Sequence, residues 1–238
     1  MTDSEVRIRD ALLIALTFAA GVVDAVSYLG LGAIFTANMT GNTVLLALAV
    51  SQRHQFQAFR SLDALLGFSF GAFLAGRVLA KVKDASVWPR RVTWVLGLEL
   101  VALVVFSLLW FAISGTPSGN LVYVLIGLSS IAMGAQAAGA RHFALSGVTT
   151  TVLTTALAAL MAELAAIGVA GSDERRWTAI VLGLFAGATL GGTMILVARV
   201  WAPILATATV AGVCAVAVMR FRPVEKIPES PIATTRAS

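Results

Sequence analysis

Apolar residues run along this chain in long unbroken stretches, with neither the two-residue alternation of a half-buried strand nor the polar face of a surface helix. A bilayer core takes about 20 mostly apolar residues as helix. Six stretches meet that length: Ala11–Gly32, Leu62–Ala80, Val92–Ile113, Leu121–Ala140, Thr178–Ala198 and Ala202–Met219. Two more are ambiguous. Phe35–Val50 has a short apolar end, Val44–Val50, behind a polar run from Thr36 to Thr43. Gly147–Val169 is long enough to cross but opens with threonines at 149, 150, 151, 154 and 155. The pattern predicts an all-α, polytopic transmembrane bundle.

Composition agrees. Of 238 residues, 58% are hydrophobic and only 12% are charged, against about 25% charged in an average soluble domain. Mean hydropathy is +0.90. Too little polar surface is left to cover a water-soluble globule, which excludes a soluble enzyme, a disordered chain and a disulfide-stapled secreted domain. The net charge of +5 would suggest nucleic acid in a soluble protein, but here the basic residues sit between apolar runs, where they set helix orientation. Arg7 and Arg9 precede an apolar stretch too long for a signal-peptide core, so it reads as a retained first helix. The five tryptophans fall near span ends, as an interfacial aromatic belt would place them.

Laying the second half on the first exposes a repeat of about 115 residues. Gly67, Gly71 and Gly76 match Gly183, Gly187 and Gly192 at an offset of 116, and Thr36 and Thr40 match Thr150 and Thr154 at an offset of 114. Gly21 can be laid on Gly134, which sets Asp24 against Ala137. Small residues at this spacing let membrane helices approach closely. The expected layout is a short N-terminal segment (1–10), two tandem membrane repeats (11–114 and 115–219) and a disordered tail (220–238). If all eight stretches crossed, the basic residues would divide almost evenly between the two sides. If the two polar-led stretches instead dip in and return, only Arg53, Arg60 and Arg199 of the 17 basic residues face out. The charge rule therefore favours six spans with a cytoplasmic N-terminus, three per repeat, so that the halves insert with opposite orientation. Seven or eight spans is the alternative.

Polar groups inside the spans carry the candidate chemistry. Asp24 shares a helical face with Thr17, Gly21 and Tyr28. An intramembrane carboxylate is costly and normally faces a partner or a wet cavity, so Asp24 could bind a cation or carry a proton; alternatively it is protonated, or bonds Tyr28, Ser27 or the Asn38 side chain, and merely locks helices together. Thr36, Asn38, Thr40, Gly41 and Asn42 supply oxygens, amides and a tight turn before a short helix, whose free N–H groups could receive an anion. The second half contributes Gln136, Thr150 and Thr154, with Asp24, His142 and Glu163 as a proton relay. Arg141 and His142 could equally mark a helix end. Glu99 is a lesser ionisable candidate. No metal, cofactor or nucleic-acid site is expected. No hydrolase, nucleotide-loop or metal-ligand motif supports an enzyme.

The strings Ala20-Gly21-Val22-Val23-Asp24-Ala25 with Tyr28, and Phe35-Thr36-Ala37-Asn38-Met39-Thr40-Gly41-Asn42-Thr43, resemble the YoaK-like bacterial membrane proteins, a domain of unknown function (1275). The likeness covers most of residues 11–219 by layout and is most specific in the first half. In the second half the family tends to a threonine-rich segment followed by Thr-Gly, whereas here Thr154 is followed by Thr155 and Ala156. The resemblance implies a multi-pass protein of the bacterial inner membrane and no particular activity. From the residues, the expectation is a secondary transporter or permease for a small molecule or ion, with a midplane site between repeats. The competing class is a non-transporting assembly factor or receptor for a lipid-soluble ligand. The expected partners are the lipid bilayer and that unidentified solute, with a homo-oligomer left open.

Overall fold

The structure, a computed structural model, describes residues 3–80, 86–143, 161 and 172–221. These form seven α-helices: α1 Asp3–Gly30, α2 Met39–Ser51, α3 Gln55–Leu79, α4 Arg90–Ala112, α5 Leu121–His142, α6 Ser172–Val197 and α7 Ala202–Arg220. Six of them are long and apolar enough to cross a membrane. At 13 residues, α2 rises about 20 Å, short of the roughly 30 Å hydrocarbon core. The stretch Gly147–Val169, with Thr150, Thr154 and Glu163, lies outside the described residues apart from the position of Met161, as does the tail beyond Phe221.

All six predicted spans are present, but α1 and α3 begin well before them, at Asp3 and Gln55. Hydropathy locates the part of a helix that meets lipid. It does not see polar turns, here carrying Arg7, Gln57 and Arg60, that continue the same hydrogen-bonded ladder beyond the hydrocarbon. Local signals mark other ends: Pro89 precedes α4, Pro203 occupies the first turn of α7, and the Asn38 side chain caps α2. Proline suits a helix start because the N–H it lacks would have no partner there.

Two helix pairs form the largest interfaces, α1 against α6 and α3 against α5; α4 and α7 pack on one another and on α5 and α1 respectively. Glycine makes the two main pairs possible. A Cβ at Gly21 would strike the Leu184 carbonyl oxygen and lie 2.9 Å from Ala188 N. A Cβ at Gly134 would strike the Phe68 carbonyl oxygen and lie 2.9 Å from Ala72 N. Gly187 fits as closely on Phe18 O, and Gly71 on Ile131 O. Not every glycine of the ladder packs. Nothing lies within 4 Å of a Cβ at Gly76, and Gly192 would meet only Leu29 at 3.7 Å, while its neighbour Gly191 would press on Val22 Cα at 2.9 Å. Gly67 is moderately tight against Ser130 and Gly127, and Gly183 makes ordinary contact with Ile14. Sequence spacing cannot tell which of two adjacent glycines faces the partner.

The tryptophans divide. Trp94 and Trp201 are exposed where a lipid interface would be, but Trp88, Trp110 and Trp177 are buried. Trp110 donates its indole N–H to Arg199 O at 2.8 Å, and Trp88 donates to Thr93 Oγ1 at 2.9 Å while stacking on Phe221. Trp110 and Trp88 tie helix ends to one another instead of anchoring the bundle in the headgroups.

Candidate functional site

After α1 the chain turns sharply through Gly32 and Ala33, both at positive φ (96° and 57°). The Arg60 guanidinium lies against Gly32 where a side chain would sit. Residues 34–38 then run back beside α1. Asp24, six residues and so about 9 Å before the end of α1, receives them: its Oδ1 accepts from Thr36 N at 2.9 Å and from Ala37 N at 2.7 Å. Asn42 in the first turn of α2 closes the loop from the other side. Its Oδ1 accepts from Phe35 N at 2.9 Å, and its Nδ2 donates to Phe35 O. Asn38 Oδ1 accepts from Gly41 N at 3.1 Å, one of the donors left open at a helix start.

Thr36 is fully buried. Its hydroxyl lies 2.9 Å from Ser129 Oγ on α5 and 3.4 Å from Ser27 Oγ on α1. A first-half loop is thereby joined to a second-half helix. Tyr28 stacks on Phe35 with ring centroids 5.0 Å apart, on the exposed side of the loop with Asn38 and Thr40. Asp24 is therefore partnered, though by the backbone N–H groups of Thr36 and Ala37 and not by Tyr28, Ser27 or the Asn38 side chain. Irregular backbone at membrane depth must have its polar groups satisfied within the protein, and Asp24 and Asn42 do this for three consecutive residues.

The second-half candidates stand elsewhere. Gln136, also buried, donates Nε2 to Leu16 O at 3.0 Å. Leu16 is eight residues from Asp24, about 12 Å along α1. Arg141 and His142 occupy the last turn of α5, farther from Asp24 than Gln136 is, so the structure does not bring Asp24 and His142 together. Among the described residues no three His, Cys, Asp or Glu side chains gather as a metal site would need. At the centre, Val22, Val26, Leu103, Phe106, Ser129 and Pro203 surround an apolar space of about 10 Å³, room for a single water. Ser129 was not foreseen from the sequence, where it sits unremarked beside Ser130 in an apolar run.

The family model described as "Protein of unknown function (DUF1275)" matches residues 12–218. The chain belongs to this family. Among its relatives is the UPF0700 transmembrane protein YoaK of Bacillus subtilis (strain 168), 43% identical over 156 residues that cover 66% of this chain and 67% of YoaK. No solved structure matches. The DUF1275 match runs from α1 into α7 and so contains the whole Asp24–Asn42 loop, Ser129 and Gln136. The chain is thus an integral, multi-pass membrane protein of this family.

Proposed function

We propose that this DUF1275 protein is a permease of the bacterial inner membrane that carries a small molecule or ion between two inverted halves, with its N-terminus in the cytoplasm. The observation that carries the reading is the exchange of partners between halves. The wall at Gly21 is Leu184 and Ala188 while the wall at Gly134 is Phe68 and Ala72, and each second-half wall residue is 116 positions after its counterpart. Gly187 on Phe18 and Gly71 on Ile131 repeat the relation in reverse. This is the packing expected of a duplicated unit whose copies embrace one another, an arrangement in which transporters place their sites at the repeat interface. The loop held by Asp24 and Asn42 supports the same reading, because it enters the bundle and returns through α2, too short to cross. The tight central space then corresponds to a closed conformation. Thr36 and Ser129, one from each half, are the polar pair beside it and the contact that opening would break.

Proteoliposomes tested for uptake and for solute-driven currents with amino acids, sugars, nucleobases and small organic acids check this. Wild-type vesicles are expected to exceed empty ones for at least one class. Signals no larger than those of empty vesicles across the panel would overturn it. A second reading, a non-transporting assembly factor or receptor for a lipid-soluble ligand, is favoured by the groove of about 660 Å³ between α4 and α7, lined by Trp94, Leu98, Val101 and Val218. A thermal-shift screen against lipids and quinones separates the two.

A further inference from the structure

Glu99, in the first half of α4, has no exposed surface, and neither Oε1 nor Oε2 has a hydrogen-bond partner. It contrasts with Asp24, whose carboxylate is taken up by backbone N–H groups. The same level of the bundle holds a second unmet acceptor. Gln136 spends its Nε2 on Leu16 O, and its Oε1 is buried without a donor. The level follows from the antiparallel register of α4 and α5: Gly139 faces Val95, and Ser129 shares the central space with Leu103 and Phe106. Glu99 falls between these two crossings, opposite the turn of α5 that carries Gln136. From α7, Cys214 is the titratable group that faces Glu99. On α5 the titratable and charged groups are Tyr123 near its start and Arg141 and His142 in its last turn, and α3, which also touches α4, carries Arg60, Asp63 and Arg77. Glu99 is thus fully buried and without a donor beside the Cys214 thiol, at the level of α5 that carries Gln136, where an ionised carboxylate is strongly disfavoured.

We propose that Glu99 is a buried proton-binding site and the group through which proton movement couples to transport. As the neutral acid its hydroxyl is a donor, and Gln136 Oε1 is the unmet acceptor at its level. Among the described residues no three His, Cys, Asp or Glu side chains gather here, and the few oxygens at this level make a poor cage for a metal ion, which takes more oxygen ligands, but suit a proton. The coupling half of the proposal rests on the permease reading. The occupancy half does not.

Infrared difference spectroscopy of the purified full-length chain, wild type minus Glu99→Gln, tests occupancy without any substrate. The expected result is a carboxylic-acid C=O band that downshifts in heavy water and changes frequency in Gln136→Leu. Should Glu99→Gln not be recovered folded, Glu99→Asp must show the same band displaced. A difference spectrum with no acid band, a band unmoved by Glu99→Asp, or a band abolished by sodium chloride at fixed pH overturns the proton site and leaves the permease reading intact. If the band is present, solute-driven currents in Glu99→Gln vesicles are expected to lose their dependence on a pH gradient. Currents that keep it overturn the coupling role alone.

Discussion

The Ala37 backbone N–H points at Asp24 Oδ1 from 2.7 Å, thirteen residues along the chain. With the Thr36 bond, it makes one carboxylate the anchor of an entire re-entering loop. Asp24→Ala removes both acceptor roles and leaves buried donors behind, at about 1–3 kcal/mol for each group left unmet. Asp24→Asn keeps one acceptor oxygen for the loop amides but loses the charge and puts an NH2 donor in place of Oδ2. Thermal unfolding of the purified proteins is expected to rank wild type, Asn and Ala in that order. An Ala variant as stable as wild type would show that the loop is held by something else.

The Thr36–Ser129 contact joins the halves through two hydroxyls. A double-mutant cycle with Thr36→Val and Ser129→Ala, read by chemical or thermal denaturation, is expected to return a coupling energy of about 1 kcal/mol, because neither hydroxyl finds water once its partner is gone. Additive single effects would remove this pair as a link.

Glycine substitutions separate crowded positions from open ones. Gly71→Ala and Gly134→Ala drive a methyl group into the backbone of the facing helix and are expected to lower stability by about 1–3 kcal/mol through forced backbone shifts. Gly76→Ala meets nothing and is expected to be neutral or to gain up to about 1 kcal/mol from helix propensity. Size-exclusion profiles before and after heating give the comparison. Equal behaviour of all three would contradict the packing.

Topology is open to chemical labelling. Gln52 lies in the turn between α2 and α3. In a background where Cys214, the single native cysteine, is replaced by serine, Gln52→Cys is expected to react with an impermeant maleimide added to intact cells. Reaction only after permeabilisation would place that turn in the cytoplasm and dismiss the six-span arrangement.

The six long helices were legible because an unbroken apolar run of about 20 residues has one economical conformation in lipid. The shortness of α2 could also be anticipated, since the polar Thr36–Thr43 run leaves too few apolar residues to cross. The partners of polar side chains were not legible. Asp24, Thr36 and Asn42 were identified as a group, yet nothing in their spacing shows that two of the three serve backbone amides. Ser129 is invisible without the fold, since its role exists only where α5 meets a loop 93 residues earlier. Gly76 and Gly192 fit a ladder on paper and fail in space, because a helix face is chosen by rotation about an axis that the sequence does not fix. Trp110 looked interfacial from its place at a span end, but burial depends on neighbours, and its neighbour is Arg199.

The partner exchange in the fold bears on how the protein is made. α1 leaves the ribosome well before its main partner, α6, which starts at Ser172, so the intervening helices must be synthesised before α1 can dock. Until then α1 waits among lipids with Gly21 uncovered and with a carboxylate that its own following loop can hydrogen-bond. Early formation of the Asp24 loop would thus serve biogenesis as much as the finished protein. The two halves, translated as separate polypeptides in one cell, should find each other and assemble, whereas either half alone should be left for the quality-control proteases.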